Sequence, residues 1–273
     1  MTETTNATTD APTQPAEATA NGRVRHRQGK ARIRDGVPYS DPTSTLSLLP
    51  GAAIGEWLAD VGDVFTGRLL DAGAGNQPYR DWYEPKVDQV VAVDAAPIEG
   101  LSALAFANRL PFRDASFDTV LSTQVWEHVD DAGAAARETF RVLRPGGHLI
   151  VTVPFFYPTH EAPYDYARFT RYGLAAVLRN AGFEVERVDA QGGPLLLGSH
   201  MGVLALSQAL NALGRLLRLK RPLSLLPGLR HLLCLPQQLA IAVRYRLRGT
   251  RRGIRFGSGL VSLGYFAVAR KPD

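Results

Sequence analysis

Two stretches of this sequence concentrate residues that do chemistry. The first is Asp71-Ala72-Gly73-Ala74-Gly75-Asn76, with an acid, Asp94, about 20 residues further on. Gly73 and Gly75 lack Cβ, so the backbone can approach a ligand closely and adopt conformations that other residues resist. A helix start after such a loop presents free N–H groups to an anionic ligand group. A carboxylate at Asp94 can accept two hydrogen bonds from the vicinal hydroxyls of a ribose. Loop, spacing and acid together point to an adenosine-containing ligand, whereas a lone Gly-rich loop would be only a turn.

The second stretch is Pro154-Phe155-Phe156-Tyr157-Pro158-Thr159-His160-Glu161-Ala162-Pro163-Tyr164-Asp165-Tyr166-Ala167-Arg168-Phe169. Tyr157, Tyr164 and Tyr166 carry polar tips on aromatic bodies, which suits sugar-like or phenolic ligands. Arg168 can bind a phosphate or carboxylate, and Glu161 adds a further polar contact. His160 is the leading candidate for a general base, with Asp165 and His128 behind it. Thr123, Gln124, Glu127 and His128 follow another apolar run and belong to the same region. For Glu127 and His128 the competing role is to cap or orient the next helix.

These residues need elements to hold them. The apolar runs RLLDAG (68–73), VVAVD (to Asp94), FDTVLSTQ (117–124) and HLIVTVP (148–154) read as buried parallel strands. FEVERVDA (183–190) and LVSLGYFAVAR (260–270) read as the last two strands. Helices are predicted within 41–63, over 132–143, closed by Arg144-Pro145-Gly146-Gly147, and over 172–181, closed by Gly182. Strands separated by helices imply an α/β fold with ligands at the strands' carboxyl ends.

The third glycine of the dinucleotide pattern G-x-G-x-x-G is replaced here by Pro78, and an acid opens the loop. That arrangement resembles motif I, D/E-x-G-x-G, of class I S-adenosylmethionine (SAM)-dependent methyltransferases. Leu110-Pro111-Phe112-Arg113-Asp114-Ala115-Ser116-Phe117-Asp118, Glu127-His128-Val129 and Leu143-Arg144-Pro145-Gly146-Gly147 resemble, in order, further motifs of the methyltransferase type 11 group. The resemblance implies a Rossmann-like, seven-stranded, mostly parallel sheet with an antiparallel last strand. It implies SAM as co-substrate, with Asp71, Gly73 and Gly75 around its methionine part, Asp94 on the ribose and Thr123 nearby. Two positions depart from the pattern. Gln77 stands where a third glycine is common, and Phe106 where many relatives carry an acid for the adenine amine. Adenine recognition is therefore expected from backbone groups near Ala107 and Asn108. Some ubiquinone-pathway relatives bind a metal through an acidic pair plus His. Gln124 stands in place of the second acid, so no metal is expected.

Composition narrows the function further. With 45% hydrophobic and 21% charged residues the chain has the make-up of a soluble globular protein. The lone Cys234 allows no internal disulfide. The Thr/Ala/Pro/Glu-rich start has no apolar signal-peptide core, so residues 1–40 are expected to be a disordered tail with a basic segment, and the protein cytoplasmic. Residues 41–191 are expected to form the SAM-binding core and 258–273 the last strand. Between them, 192–257 reads as an apolar, basic helical insertion, since no Asp or Glu stands between Asp189 and Asp273. Its Arg-rich flanks fit an anionic membrane surface. A substrate cap or a dimer contact would fit equally, and the oligomeric state is open. The expected function is O-methylation of a small-molecule, glycan or lipid-linked acceptor. The alternatives are RNA methylation, disfavoured because nucleic acid lacks a recognisable binding module here, and a catalytically idle SAM-binding or membrane scaffold.

Overall fold

The computed structural model describes residues 48–219 and 262–273, two short segments (32–34 and 37–39) and single positions between 222 and 243. Nine strands and five α-helices are described. The strands are β1 Arg32–Arg34, β2 Val37–Tyr39, β3 Arg68–Ala72, β4 Gln89–Asp94, β5 Ala103–Leu104, β6 Phe117–Thr123, β7 Leu143–Pro154, β8 Glu184–Ala190 and β9 Gly264–Arg270. The helices are α1 Leu48–Asp60, α2 Arg80–Tyr83, α3 Ala132–Val142, α4 Arg171–Asn180 and α5 Pro194–Leu216.

Seven strands form one sheet in the order β5-β4-β3-β6-β7-β9-β8. β9 runs antiparallel to both neighbours and the rest run in one direction. The α/β fold with an antiparallel last strand is thus as expected from the sequence. The sheet is buried on both faces because successive side chains alternate. Leu70, Val120, Leu149, Val151 and Ala267 pack on one face with Ala135, Leu174 and Leu178 of α3 and α4. Leu69, Leu121, Ile150 and Phe266 pack on the other with Ile54, Trp57 and Leu58 of α1 and Tyr83 of α2. Trp57 stacks on Phe266 at 4.7 Å and donates its indole N–H to Asp189 Oδ2 at 2.9 Å.

Local signals explain the ends of the helices. Asp131 caps α3 by accepting the Ala134 N–H, and Thr170 caps α4 by accepting the Gly173 N–H. Gly182, after α4, has φ +101°, the left-handed conformation common past a helix end. The α3 cap is therefore Asp131, so Glu127 and His128 are released from the capping role weighed for them.

Three features differ from the sequence reading. β5 was not foreseen: a two-residue edge strand pairing only with β4 leaves no apolar run to detect. β7 begins at Leu143, so the Arg-Pro-Gly-Gly segment that ends α3 already belongs to the strand. Within 1–40, expected to be a disordered tail with a basic segment, the described residues form the paired strands β1 and β2, and β2 lies beside α1. Residues 1–31, 35–36 and 40–47 lie outside the described residues, as does most of 220–261. α5 fills the start of the expected insertion between β8 and β9.

Candidate functional site

β3 and β4 lie side by side and deliver their carboxyl ends together, so the loop after Ala72 and the acid Asp94 become neighbours. The N–H groups of Gly73 and Ala74 both donate to Val93 O at 2.9 Å, pinning the loop to the end of β4. The Asp94 carboxylate accepts from Gly75 N (Oδ2, 2.9 Å) and from Ala96 N (Oδ1, 2.9 Å). Gly73 has φ +79°, and a Cβ there would stand 2.3 Å from Val125 Cγ2, so conformation and space both exclude larger residues.

Gln77, where a third glycine is common in the resembling sequences, has φ +52°. The conformation that favours glycine is thus kept with a side chain present. That side chain donates from Nε2 to Gly100 O at 3.0 Å and accepts from Arg80 Nη1 at 2.6 Å, which offsets backbone strain. Asp71 lies beneath the loop, buried, and accepts the Tyr83 hydroxyl at 2.6 Å, while its Oδ1 has no hydrogen-bond partner among the described residues. Burial pushes its pKa up to about 7, the Tyr83 hydrogen bond opposing and Asp94 adding to the rise. Ala107 and Asn108 are half-buried between Phe106, largely exposed, and Arg109. The Asn108 side chain leans on Asp130 Oδ1 at 3.5 Å.

The second half of the site forms where β6 and β7 end. Thr123 pairs with Thr152, and Gln124 donates its backbone N–H to Thr152 O and its side-chain Nε2 to Thr152 Oγ1. A short 3₁₀ turn, Trp126–His128, follows, and the loop after β7 docks on it: the N–H groups of Tyr166 and Ala167 both donate to Glu127 O. His128 Nδ1 sits 2.6 Å from Tyr164 O. This docking brings His128 and His160 edge to face, with ring centroids 4.7 Å apart. Tyr157 touches His160 at 5.0 Å and stacks on His200 of α5 at 5.8 Å.

His160 has its pKa lowered, first by desolvation and then by the neighbouring His128. A neutral imidazole is the form a general base needs. Asp165 and Arg168 pair with one another, Nη1–Oδ1 at 2.5 Å and Nη2–Oδ2 at 2.7 Å. The guanidinium holds the Asp165 carboxyl far below the usual carboxylate range, which leaves it little basicity. Asp165 also accepts the His160 backbone N–H at 2.9 Å and lies 3.4 Å from its Nδ1. The pair thus positions His160. The acceptor anion expected at Arg168 meets a guanidinium already engaged by Asp165 and by the carbonyls of Tyr157, Pro158 and Ala167. The Tyr164 and Tyr166 side chains are exposed on the rim, and Glu161 stands half-exposed, its Oε2 3.8 Å from His128 Nε2.

Two buried groups, Glu127 and His200, have surroundings that the sequence does not reveal. Glu127 is fully buried, neither carboxylate oxygen has a hydrogen-bond partner from another residue among the described residues, and burial pushes its pKa up to about 8 against its own backbone N–H. Its place beside His128 in the sequence was the available signal. His200 is also fully buried, with no hydrogen-bond partner among the described residues, its pKa pushed down to about 4 by burial. Nothing in the surrounding apolar helix sequence marks it. Five described non-glycine residues have positive φ, and three of them, Gln77, Gln124 and Glu161, surround this site. Strained backbone concentrates where function constrains it.

Comparison with known proteins bears on the same region. Residues 70–151 match the family model described as a methyltransferase domain. The match begins in β3, beside the glycine loop, and ends in β7. A probable SAM-dependent methyltransferase of Mycolicibacterium smegmatis is 41% identical over 83 residues, 28% of this chain and 32% of that protein. Methyltransferase GfsG of Streptomyces halstedii is 33% identical over 144 residues, 45% of this chain and 52% of that protein. The matches therefore span about half or less of these relatives' lengths. Among solved structures, the [4+2]-cyclase SpnF shares the fold at a TM-score of 0.54 and 20% identity, covering 89% of each chain. A putative sarcosine dimethylglycine methyltransferase from Galdieria sulphuraria shares it at 0.50 and 17%, covering 87% of this chain and 93% of that one. At such identities these two show the fold alone. The methyltransferase-domain match ends within β7, before the loop that carries His160.

Proposed function

We propose that this chain is an enzyme that binds SAM over the Gly73 loop and methylates a hydroxyl of a small-molecule, glycan or lipid-linked acceptor. The observation that carries the proposal is the juxtaposition at the strand ends. β3 and β6 are neighbours at which the strand order reverses, the crevice where ligands sit in open α/β sheets. On one side of it stand the glycine loop and Asp94, and on the other the His128–His160 cluster.

The chemistry follows from that division. The acceptor oxygen attacks the sulfonium methyl in line, a C–O bond forms, and the C–S bond breaks with its electron pair retained by sulfur. The products are a methyl ether and neutral S-adenosylhomocysteine. Positioning supplies much of the acceleration. The acceptor's proton leaves through the imidazole cluster around His160, where Tyr157, Glu161, Tyr164 and Tyr166 line the approach.

α5 supports a surface-bound acceptor. Leu196–Leu216 is long and apolar enough by composition to cross a membrane, and 33% of that stretch is buried. Leu196, Leu197, His200 and Val203 pack inward, while Leu206, Leu213 and Leu216 are exposed. One face docked on the protein and one left open suit a helix lying on the cytoplasmic face of a membrane, with Arg215 and Arg218 at its end.

The acceptor is tested by comparing metabolites and lipid extracts of a strain lacking the gene with those of its parent. The expected result is a compound lighter by one methyl group that purified enzyme and SAM convert to the parental form. If that conversion instead modifies only RNA, the small-acceptor reading fails.

A further inference from the structure

We infer that Glu127, His128 and His160 form a binding site for one divalent cation of the zinc type, beside the crevice where the acceptor is placed. Each residue offers one ligand atom, and the three atoms lie within 4.8 Å of one another. Tetrahedral ligands around zinc stand about 3.3 Å apart, as bond lengths of ~2.0–2.1 Å require. Closing the site therefore takes side-chain movements of roughly an ångström.

Three features of the cluster argue for a cation rather than for two histidines merely in contact. Glu127 presents two fully buried carboxylate oxygens that no hydrogen-bond donor of another residue reaches among the described residues. Its nearest imidazole nitrogen, His128 Nε2, is 3.8 Å from Oε1, too far for a hydrogen bond. An unmatched buried carboxylate is costly, and a coordinated cation is one of the few partners able to satisfy it.

Both imidazoles are also oriented through Nδ1. His128 Nδ1 donates to Tyr164 O at 2.6 Å. His160 Nδ1 lies 3.2 Å from Pro158 O and 3.4 Å from Asp165 Oδ2. A proton fixed on each Nδ1 leaves each Nε2 with its lone pair, and outer partners of this kind are what orient histidine ligands. Asp165 is in turn locked by Arg168, so the support extends one layer further.

Two imidazoles and one carboxylate make the donor set of catalytic zinc sites that keep a fourth position open. Nitrogen donors favour zinc or a late first-row ion over magnesium or calcium. Gln124 stands aside, hydrogen-bonded to Thr152, so the missing second acid is not what decides the matter. His160, brought in from beyond β7, supplies the third ligand.

The binding itself stands apart from the proposed methyl transfer, but its use rests on that reading. A hydroxyl acceptor at the open position would lose its proton more readily, releasing it to water. His160 would then serve the acceptor through the cation instead of taking the proton itself.

The test uses the full chain, freed of any affinity tag and dialysed against chelator, titrated calorimetrically with zinc chloride and followed with cobalt(II) by visible absorption. The expected result is one cation per chain with a tetrahedral cobalt spectrum. Glu127→Gln, His128→Gln and His160→Gln should each weaken binding by about tenfold or more, since even outer-partner losses reach that range. His148→Gln, remote from the cluster, should leave it unchanged. Failure to bind, or unchanged affinity and cobalt spectrum in His160→Gln, overturns the inference. Should Glu127→Gln fail to fold, His160→Gln on the loop still decides it. SAM binding without zinc binding defeats the cation alone, and zinc binding without SAM binding defeats the proposed function alone.

Discussion

The two halves of the site are built from different materials. The cofactor half is backbone: Gly73, Ala74 and Gly75 N–H groups are tied to Val93 and Asp94, at the ends of strands buried on both faces. The acceptor half is side chains on a loop, His128 against His160, held by an Arg168–Asp165 pair and by hydrogen bonds to Glu127 O. Backbone geometry admits few residue types at few spacings, so many proteins arrive at the same solution. A side-chain cluster can be assembled in many ways and records what one chain has to recognise. The methyltransferase-domain match, which ends at residue 151, takes in the cofactor half and the Glu127–His128 turn and leaves out the loop that carries His160, Asp165 and Arg168.

If the division is right, substitutions on the two sides separate turnover from cofactor affinity. The largest expected effect is on the acceptor side. His160→Ala should lower methyl transfer by ~100-fold, the range of a lost acid–base or acceptor-activating group, with SAM affinity unchanged. Steady-state rates beside calorimetric SAM binding check this, and equal loss of both would make His160 part of the cofactor half.

Asp94→Ala comes next. It should weaken SAM by ~1.5–3 kcal/mol, at least tenfold, because the ribose loses charge-assisted bonds. The loop also loses the carboxylate that accepts from Gly75 and Ala96. Unchanged affinity would remove Asp94 from the ribose and erase the contrast.

A smaller effect sharpens the comparison from the cofactor side. Asp71, with its pKa near 7, is mostly neutral below that pH and ionised above it. The ammonium of SAM favours the ionised form, so binding expels the proton and affinity should rise a few-fold, on the order of one pKa unit or less, from pH 6 to 7.5. Asp71→Asn should flatten the slope. A slope that persists in that variant would assign the proton elsewhere.

How much could be read from the sequence follows the same line. The order of strands β3, β4, β6 and β7 was legible because both-face burial writes continuous apolar runs, and the loop after β3 because Gly73 has no substitute at φ +79° against Val125. β5 was not, since two paired residues at a sheet edge leave no pattern. Asp165 and Arg168 were visible as separate candidates. Their pairing was not, because in a loop spacing does not fix direction as it does on a helix. Glu127 was visible, but its lack of partners is a property of what packs around it and has no sequence signature.

The central claim, that the Gly73 loop and Asp94 seat SAM, is tested most directly by calorimetric titration of the purified chain with SAM, S-adenosylhomocysteine and NAD. The account predicts one-to-one binding of the first two and no competition from NAD, since Pro78 replaces the glycine that packs against a pyrophosphate. Preference for NAD, or no binding of SAM by folded protein, would contradict it.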